Sequence, residues 1–205
     1  MRDVPTLTRD TGSRREAVEQ DVLRATEELL AEGAAFAELN VERIAVRAGI
    51  SRPAFYFYFR DKRDLLIRLT EGVADELYAQ AEAWWRSEGD GREEMRASLR
   101  RIFALYREHS VLLRAVVETS GYDEQMAEAW RGIVGRFVDA TRERIETEQD
   151  EGRVAASLPA EATAFSLVWM IERACYQQLA KGSAVDAPDF VEGLTGVWLR
   201  AVYGG

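Results

Sequence analysis

Apolar residues recur at spacings of three and four along nearly the whole chain, and strict apolar–polar alternation is scarce. That pattern predicts an all-α protein. Val18, Val22, Ala25, Leu29 and Leu30 share one face of a first helix, which Gly33 ends. Ser13 and Glu16 match a capping box at its start, and residues 1–12, without periodicity, read as a mobile arm. A longer helix begins near Asp61 and keeps Leu65, Leu69, Val73, Leu77 and Ala81 in register as far as Trp84. The stretch SEGDGR at 87–92 is a loop by its Gly and Asp content. Further helices are predicted at about 93–107, 110–119, 123–149, 160–181 and 187–203. The expected division is an N-terminal domain over 1–60 and a larger helical domain over 61–205, with the fourth helix bridging them.

The densest local signal lies at 38–66, ELNVERIAVRAGISRPAFYFYFRDKRDLL. Asn40 suits the N-cap of a helix over 41–48, with Val41, Ile44, Ala45 and Ala48 inward. Gly49 stands where the chain must reverse, at no steric cost to a left-handed backbone, and apolar Ile50 is expected to plug the core beneath it. Ser51 caps the next helix, and Pro53 fits its first turn, where backbone N–H groups lack partners. Phe55-Tyr56-Phe57-Tyr58-Phe59 would also suit a buried strand. The flanking caps and the lack of a partner strand favour a helix, in which Phe55 and Phe59 share the core face. Two short helices joined by a Gly turn, the second basic and aromatic, form a helix-turn-helix that points to the DNA major groove. Arg52 is suited to guanine edges, Tyr56 and Tyr58 to phosphate or thymine methyls, and Lys62 to phosphate at a helix N-terminus.

A net charge of −9 over 205 residues by itself opposes DNA. Its distribution removes the conflict. Residues 40–68 hold seven bases against three acids, whereas residues 69–205 hold 15 bases against 24 acids. A positive module on an acidic body is the pattern of a DNA-binding domain attached to something else. No apolar run approaches the roughly 20 residues a bilayer span requires, and no signal-peptide core is present, so a cytoplasmic protein without membrane contact is expected. The lone Cys175 has no partner for an internal disulfide.

This region resembles the TetR family of transcriptional repressors. The turn Gly49, the cap Ser51, Tyr56, Phe59 and the pair Asp61-Lys62 all stand at the family's spacing. ISRPAFYFYF, the later WMIER at 169–173 and VWLRAVYG at 197–204 are similar to the ethionamide-resistance type within it. The resemblance implies an all-helical homodimer that contacts DNA through Ser51, Arg52, Pro53, Ala54, Tyr56, Tyr58 and Lys62. Asn40, Val41 and Phe57 complete the candidate DNA-binding set. Many members carry a His where Phe57-Tyr58 stands, which puts a base contact from there in question.

Beyond residue 90 apolar and aromatic residues are abundant, and each has a plain reading as core. Together they suit a ligand cavity between helices. By resemblance, Ile102, Phe103, Tyr106, Val134, Phe137, Val168, Ile171 and Trp198 would line it, and Met95, Trp169 and Glu172 join them as candidates. Glu172-Arg173 interrupts an apolar helix, either as a bracing ion pair or as a polar anchor for the ligand. The last two helices are the expected dimer interface. An enzyme has little support: one His (His109), one Cys, no phosphate-binding Gly motif, no metal spacing and no cofactor motif. The function expected is that of a repressor released from a pseudo-palindromic, double-stranded DNA operator by a small hydrophobic effector. The alternative is a helical small-molecule or lipid carrier.

Overall fold

The computed structural model describes residues 10–88, 91–180, 182 and 185–204, with side chains from residue 14 onward. The regular structure among them is helical: α1 Asp10–Ala31, α2 Val41–Arg47, α3 Arg52–Tyr58, α4 Lys62–Trp85, α5 Arg92–Glu108, α6 Ser110–Ser120, α7 Glu124–Asp150, α8 Ala160–Ala180 and α9 Ala187–Tyr203. The first helix starts at Asp10, so Ser13 lies inside it rather than at its cap. Of the arm expected over 1–12, residues 1–9 fall outside the described set and 10–12 are helical.

The chain forms two compact units, Met1–Leu69 and Thr70–Gly205. The division falls within α4, later than the boundary at residue 60, because the first turns of that helix are tied to the first unit. Arg68 lies over the Phe59 ring, 5.1 Å from its centroid, and reaches Glu19 of α1 at 3.6 Å. Burial of Val22, Leu29, Leu30, Phe36, Leu39, Ile44, Phe55, Phe59, Leu65 and Leu66 makes the core of this unit. Gly33, at φ +93, closes α1: its N–H donates to the Leu30 carbonyl and that of Ala34 to Leu29. This is the left-handed stop that only Gly adopts freely.

In the second unit α7 packs chiefly on α6 and α8, and α5 on α9. Trp84 and Trp198 meet edge to face, with ring centroids 4.7 Å apart, in a core with Met95, Leu99, Ile145, Leu167 and Val202. The Trp84 indole donates to the Tyr203 hydroxyl at 3.1 Å. Gly91 is packed against this pair. A Cβ there would stand 2.8 Å from both Trp84 Nε1 and Tyr203 Oη, so the position has no room for a side chain.

Candidate nucleic-acid interface and ligand cavity

The short helices of the first unit are built from their caps. Asn40 Oδ1 accepts from the Arg43 N–H at 2.8 Å and Ser51 Oγ from the Ala54 N–H at 3.2 Å. Each cap satisfies a donor that the first turn leaves orphaned. Gly49, at φ +70, makes the reversal between α2 and α3. The helical reading of the aromatic run holds: Phe55 and Phe59 are buried, 5.3 Å apart. Tyr56 is 47% exposed and Phe57 72%, so the two largest outward rings of the unit stand side by side on α3. Ser51, Arg52 and Pro53 are exposed at its start, and Ala54 and Tyr58 are half-buried. Asn40 is exposed and Val41 half-buried at the start of α2. Ile50 is only half-buried, so it rests against the core without plugging it.

Ion pairing changes the meaning of the local charge balance. Arg47 is clamped by Glu32 through two bonds of 2.9 Å and approaches Glu28 at 3.4 Å. Arg60 and Arg68 both reach Asp64, whose backbone N–H donates to the cap Asp61. Lys62 is held by the chain of its own unit. Its ammonium donates to the carbonyls of Phe36 at 2.7 Å, Ala37 at 3.1 Å and Leu39 at 2.8 Å, and lies over the Phe36 ring. An ammonium carries three donors, and all three are directed at the α1–α2 connection. Partial burial pulls its pKa below the usual lysine value. Arg52, by contrast, is exposed with no ion pair among the described residues.

The second unit holds an apolar cavity that opens to solvent, with about 760 Å³ of non-atom space counting its open mouth. Met95, Ile102 and Tyr106 of α5, Val134 and Phe137 of α7, Val168, Ile171 and Glu172 of α8, and Trp198 of α9 line it as expected. Phe103 and Trp169 do not. Phe103 turns to pack on Phe190 at 5.2 Å, and Trp169 pairs with Phe165. A wall unanticipated from sequence comes from α4, with Thr70, Ala74, Leu77, Ala81, Trp84 and Trp85, joined by Trp130 and Ile133 of α7. The α4 residues have the ordinary spacing of a core-facing stripe, which carries no mark of a cavity.

Polar groups in this lining are few. Thr141 accepts from the Trp85 indole at 3.2 Å. The Trp198 indole N–H and both oxygens of Glu172 are buried without a hydrogen-bond partner. Burial raises the Glu172 pKa, against the opposing pull of Arg173 and of the nearby Trp130 indole. Tyr106 is likewise pushed up, first by burial and then by its neighbours Cys175 and Glu172. Burial, then Glu172, raises the Cys175 thiol to about 12, so it stays protonated and is no nucleophile. His109 sits at the α5–α6 junction with its Nε2 3.7 Å from Glu76. Among the described residues no three His, Cys, Asp or Glu side chains gather as a metal site, and no helix is long and apolar enough to cross a membrane.

A capped three-helix unit that presents Arg52 and an aromatic face from its last short helix defines a helix-turn-helix DNA-binding protein. Comparison with known proteins specifies which. The pattern of bacterial regulatory proteins of the tetR family matches residues 22–69, and that of the C-terminal domain of transcriptional regulator EthR matches 95–204. The HTH-type transcriptional regulator EthR of Mycolicibacterium smegmatis is 32% identical over 202 residues, covering 96% of this chain and 89% of that protein. Its Mycobacterium tuberculosis counterpart is 30% identical over 184 residues, covering 88% and 85%. Among solved structures, a TetR-family regulator from Syntrophomonas wolfei superposes with a TM-score of 0.78 at 17% identity, covering 90% of this chain and 94% of that one. The SmeT repressor of Stenotrophomonas maltophilia superposes at 0.72 with 20% identity, covering 90% and 89%. The chain belongs to the TetR family, of the EthR type: it is a DNA-binding transcriptional regulator and not an enzyme.

Proposed function

We propose that the chain is a repressor that binds a pseudo-palindromic operator as a homodimer and leaves it when a small hydrophobic effector fills the cavity of the second unit. The observation that carries this reading is the pairing, in one chain, of an outward recognition helix with an apolar cavity between the helices of the second unit. Direct contacts come from Ser51, Arg52, Tyr56, Phe57 and Tyr58 on α3, with Pro53 and Ala54 close to the backbone and Asn40 and Val41 at the start of α2. Lys62 contributes by holding the turn over 36–39, since its donors are already directed there. Residues up to Leu69 form the DNA-binding domain, and the remainder the ligand-binding and dimerisation domain. A dimer through α8 and α9 is supported by Phe165, 57% exposed, and by Val197 on the outer face of α9. EthR and SmeT, both named as regulators of transcription, support the repressor assignment.

Release requires that the effector bind the DNA-free state more tightly than the operator-bound one. α4 is the element through which such a difference would pass, because it begins at Lys62 and then supplies a wall of the cavity. The deciding experiment selects bound fragments from genomic DNA and then measures affinity against ionic strength. A specific site with two-fold symmetry, and log affinity falling by about 0.9 per neutralised phosphate against log salt, is the expected result. Arg52→Ala and Tyr56→Ala should each weaken operator binding by about 1–3 kcal/mol with the helical content and dimer intact. Parent-like binding by both variants would end the recognition-helix assignment. Ligand uptake with no operator binding would instead mark a carrier.

A further inference from the structure

Glu172 is the side chain that the rest of the molecule leaves unexplained. It is only 3% exposed, and neither carboxyl oxygen has a hydrogen-bond partner. It lies in the wall shared by the large cavity and a smaller neighbouring one. The other ionisable group lining the large cavity is Tyr106. A loose ion pair with Arg173 and the nearby Trp130 indole both lower its pKa, and neither gives its oxygens a well-formed hydrogen bond. Arg173 Nε stands 3.7 Å from Oε2, outside hydrogen-bond reach, while its guanidinium lies over the Tyr176 ring and its side chain is 55% exposed. Arg114 lines the smaller cavity without reaching ion-pair distance of Glu172. Cys175 and Tyr106, both nearby, are proton-bearing groups that bring no positive charge.

A buried carboxyl is normally paired or fully bonded, because leaving its oxygens bare in an apolar site is unfavourable. A carboxyl in the cavity wall with no hydrogen bond and only a loosely held, exposed counter-ion therefore lacks a donor, and the strongest complement is a cation. Residues 69–205, with 24 acids against 15 bases, also favour the approach of a cation over that of an anion. We propose that the effector is a hydrophobic amine: an apolar body that fills the cavity and a single protonated nitrogen that docks on Glu172.

This inference rests on the cavity being the effector site, so the test separates the two. Calorimetric titration of the full chain uses three probes of equal length, n-decylamine, n-decanol and n-decanoate, all below micelle formation. The expected order is amine, alcohol, carboxylate, with the amine at least about tenfold tighter than the alcohol, the scale of one charge-assisted contact. Glu172→Gln should collapse the amine-to-alcohol ratio toward one, with folding checked by circular dichroism and thermal unfolding. The ranking by the parent protein tests the inference without any variant. If alcohol and amine bind alike, or Glu172→Gln keeps the preference, the amine inference fails and the cavity reading stands. If none of the three probes binds, both fall.

Discussion

The two units of this chain hold their functional residues in opposite ways. In the first, the surface that matters is set by neighbours in sequence: Asn40 and Ser51 cap helices of seven residues, Gly49 turns the chain, and Phe55 and Phe59 anchor the helix whose other faces look outward. In the second, the cavity is assembled from α4 to α9, and residues as distant as Thr70 and Trp198 share its wall. A local site can be written in a short motif. A cavity made by long-range packing cannot, because each lining residue looks like any other core residue until its neighbours are known. The same contrast separates the polar groups. Those of the first unit are largely hydrogen-bonded, while Glu172 and the Trp198 indole lie at the cavity wall without a hydrogen bond, Glu172 with only a loose ion pair to the exposed Arg173.

This contrast can be broken at specific residues. The largest effect is expected from Phe55→Ala, which empties a fully buried site at the centre of the first unit: a loss of about 3–5 kcal/mol by thermal or urea unfolding, with operator binding lost as α3 comes loose. Lys62→Met should cost about 1.5–3 kcal/mol, because three carbonyls lose a charged donor. Its operator affinity should keep the parent's salt slope when measured well below the melting temperature. A slope reduced by about one, with unchanged stability, would show a direct phosphate contact instead.

Gly91→Ala probes the second unit. The added methyl meets Trp84 Nε1 and Tyr203 Oη at 2.8 Å, and destabilisation of about 1–3 kcal/mol is expected. The smallest change is Glu172→Gln. Burial raises the folded-state pKa of Glu172 above its unfolded value, so the protonated carboxyl favours folding. That contribution is complete below the unfolded pKa of 4.5 and is lost as pH rises through the folded one. Glu172→Gln, which mimics the neutral form, should therefore melt above the parent at neutral pH, with the gap closing toward pH 4.5. A variant less stable than the parent at neutral pH would show that the carboxylate is paired after all.

Helix placement was legible because periodicity and caps act within a few residues. Asp61, for example, caps α4 through the Asp64 N–H at 2.8 Å, as its position before Leu65 and Leu69 implied. The cap at Ser13 and the last three residues of the arm were misjudged, since an N-cap residue is identical in kind to a polar residue one turn inside a helix. In the site, Phe103 and Trp169 have the spacing of cavity residues and the opposite outcome, because a ring's direction depends on which partner lies beside it: Phe190 for one and Phe165 for the other. Lys62 shows the same limit for charge. Its place after a helix cap suggested phosphate, and only the chain at Phe36, Ala37 and Leu39 revealed where its three donors go.

By itself the sequence determined the all-helical class, the helix-turn-helix and the burial of Phe55 and Phe59, all of which depend on interactions three or four residues long. Tertiary structure alone decided the contribution of α4 to the cavity, the capture of Lys62 and the lack of a hydrogen bond to Glu172. These depend on contacts between residues far apart in the chain, and a buried carboxyl is left without a hydrogen bond only by the arrangement of everything around it.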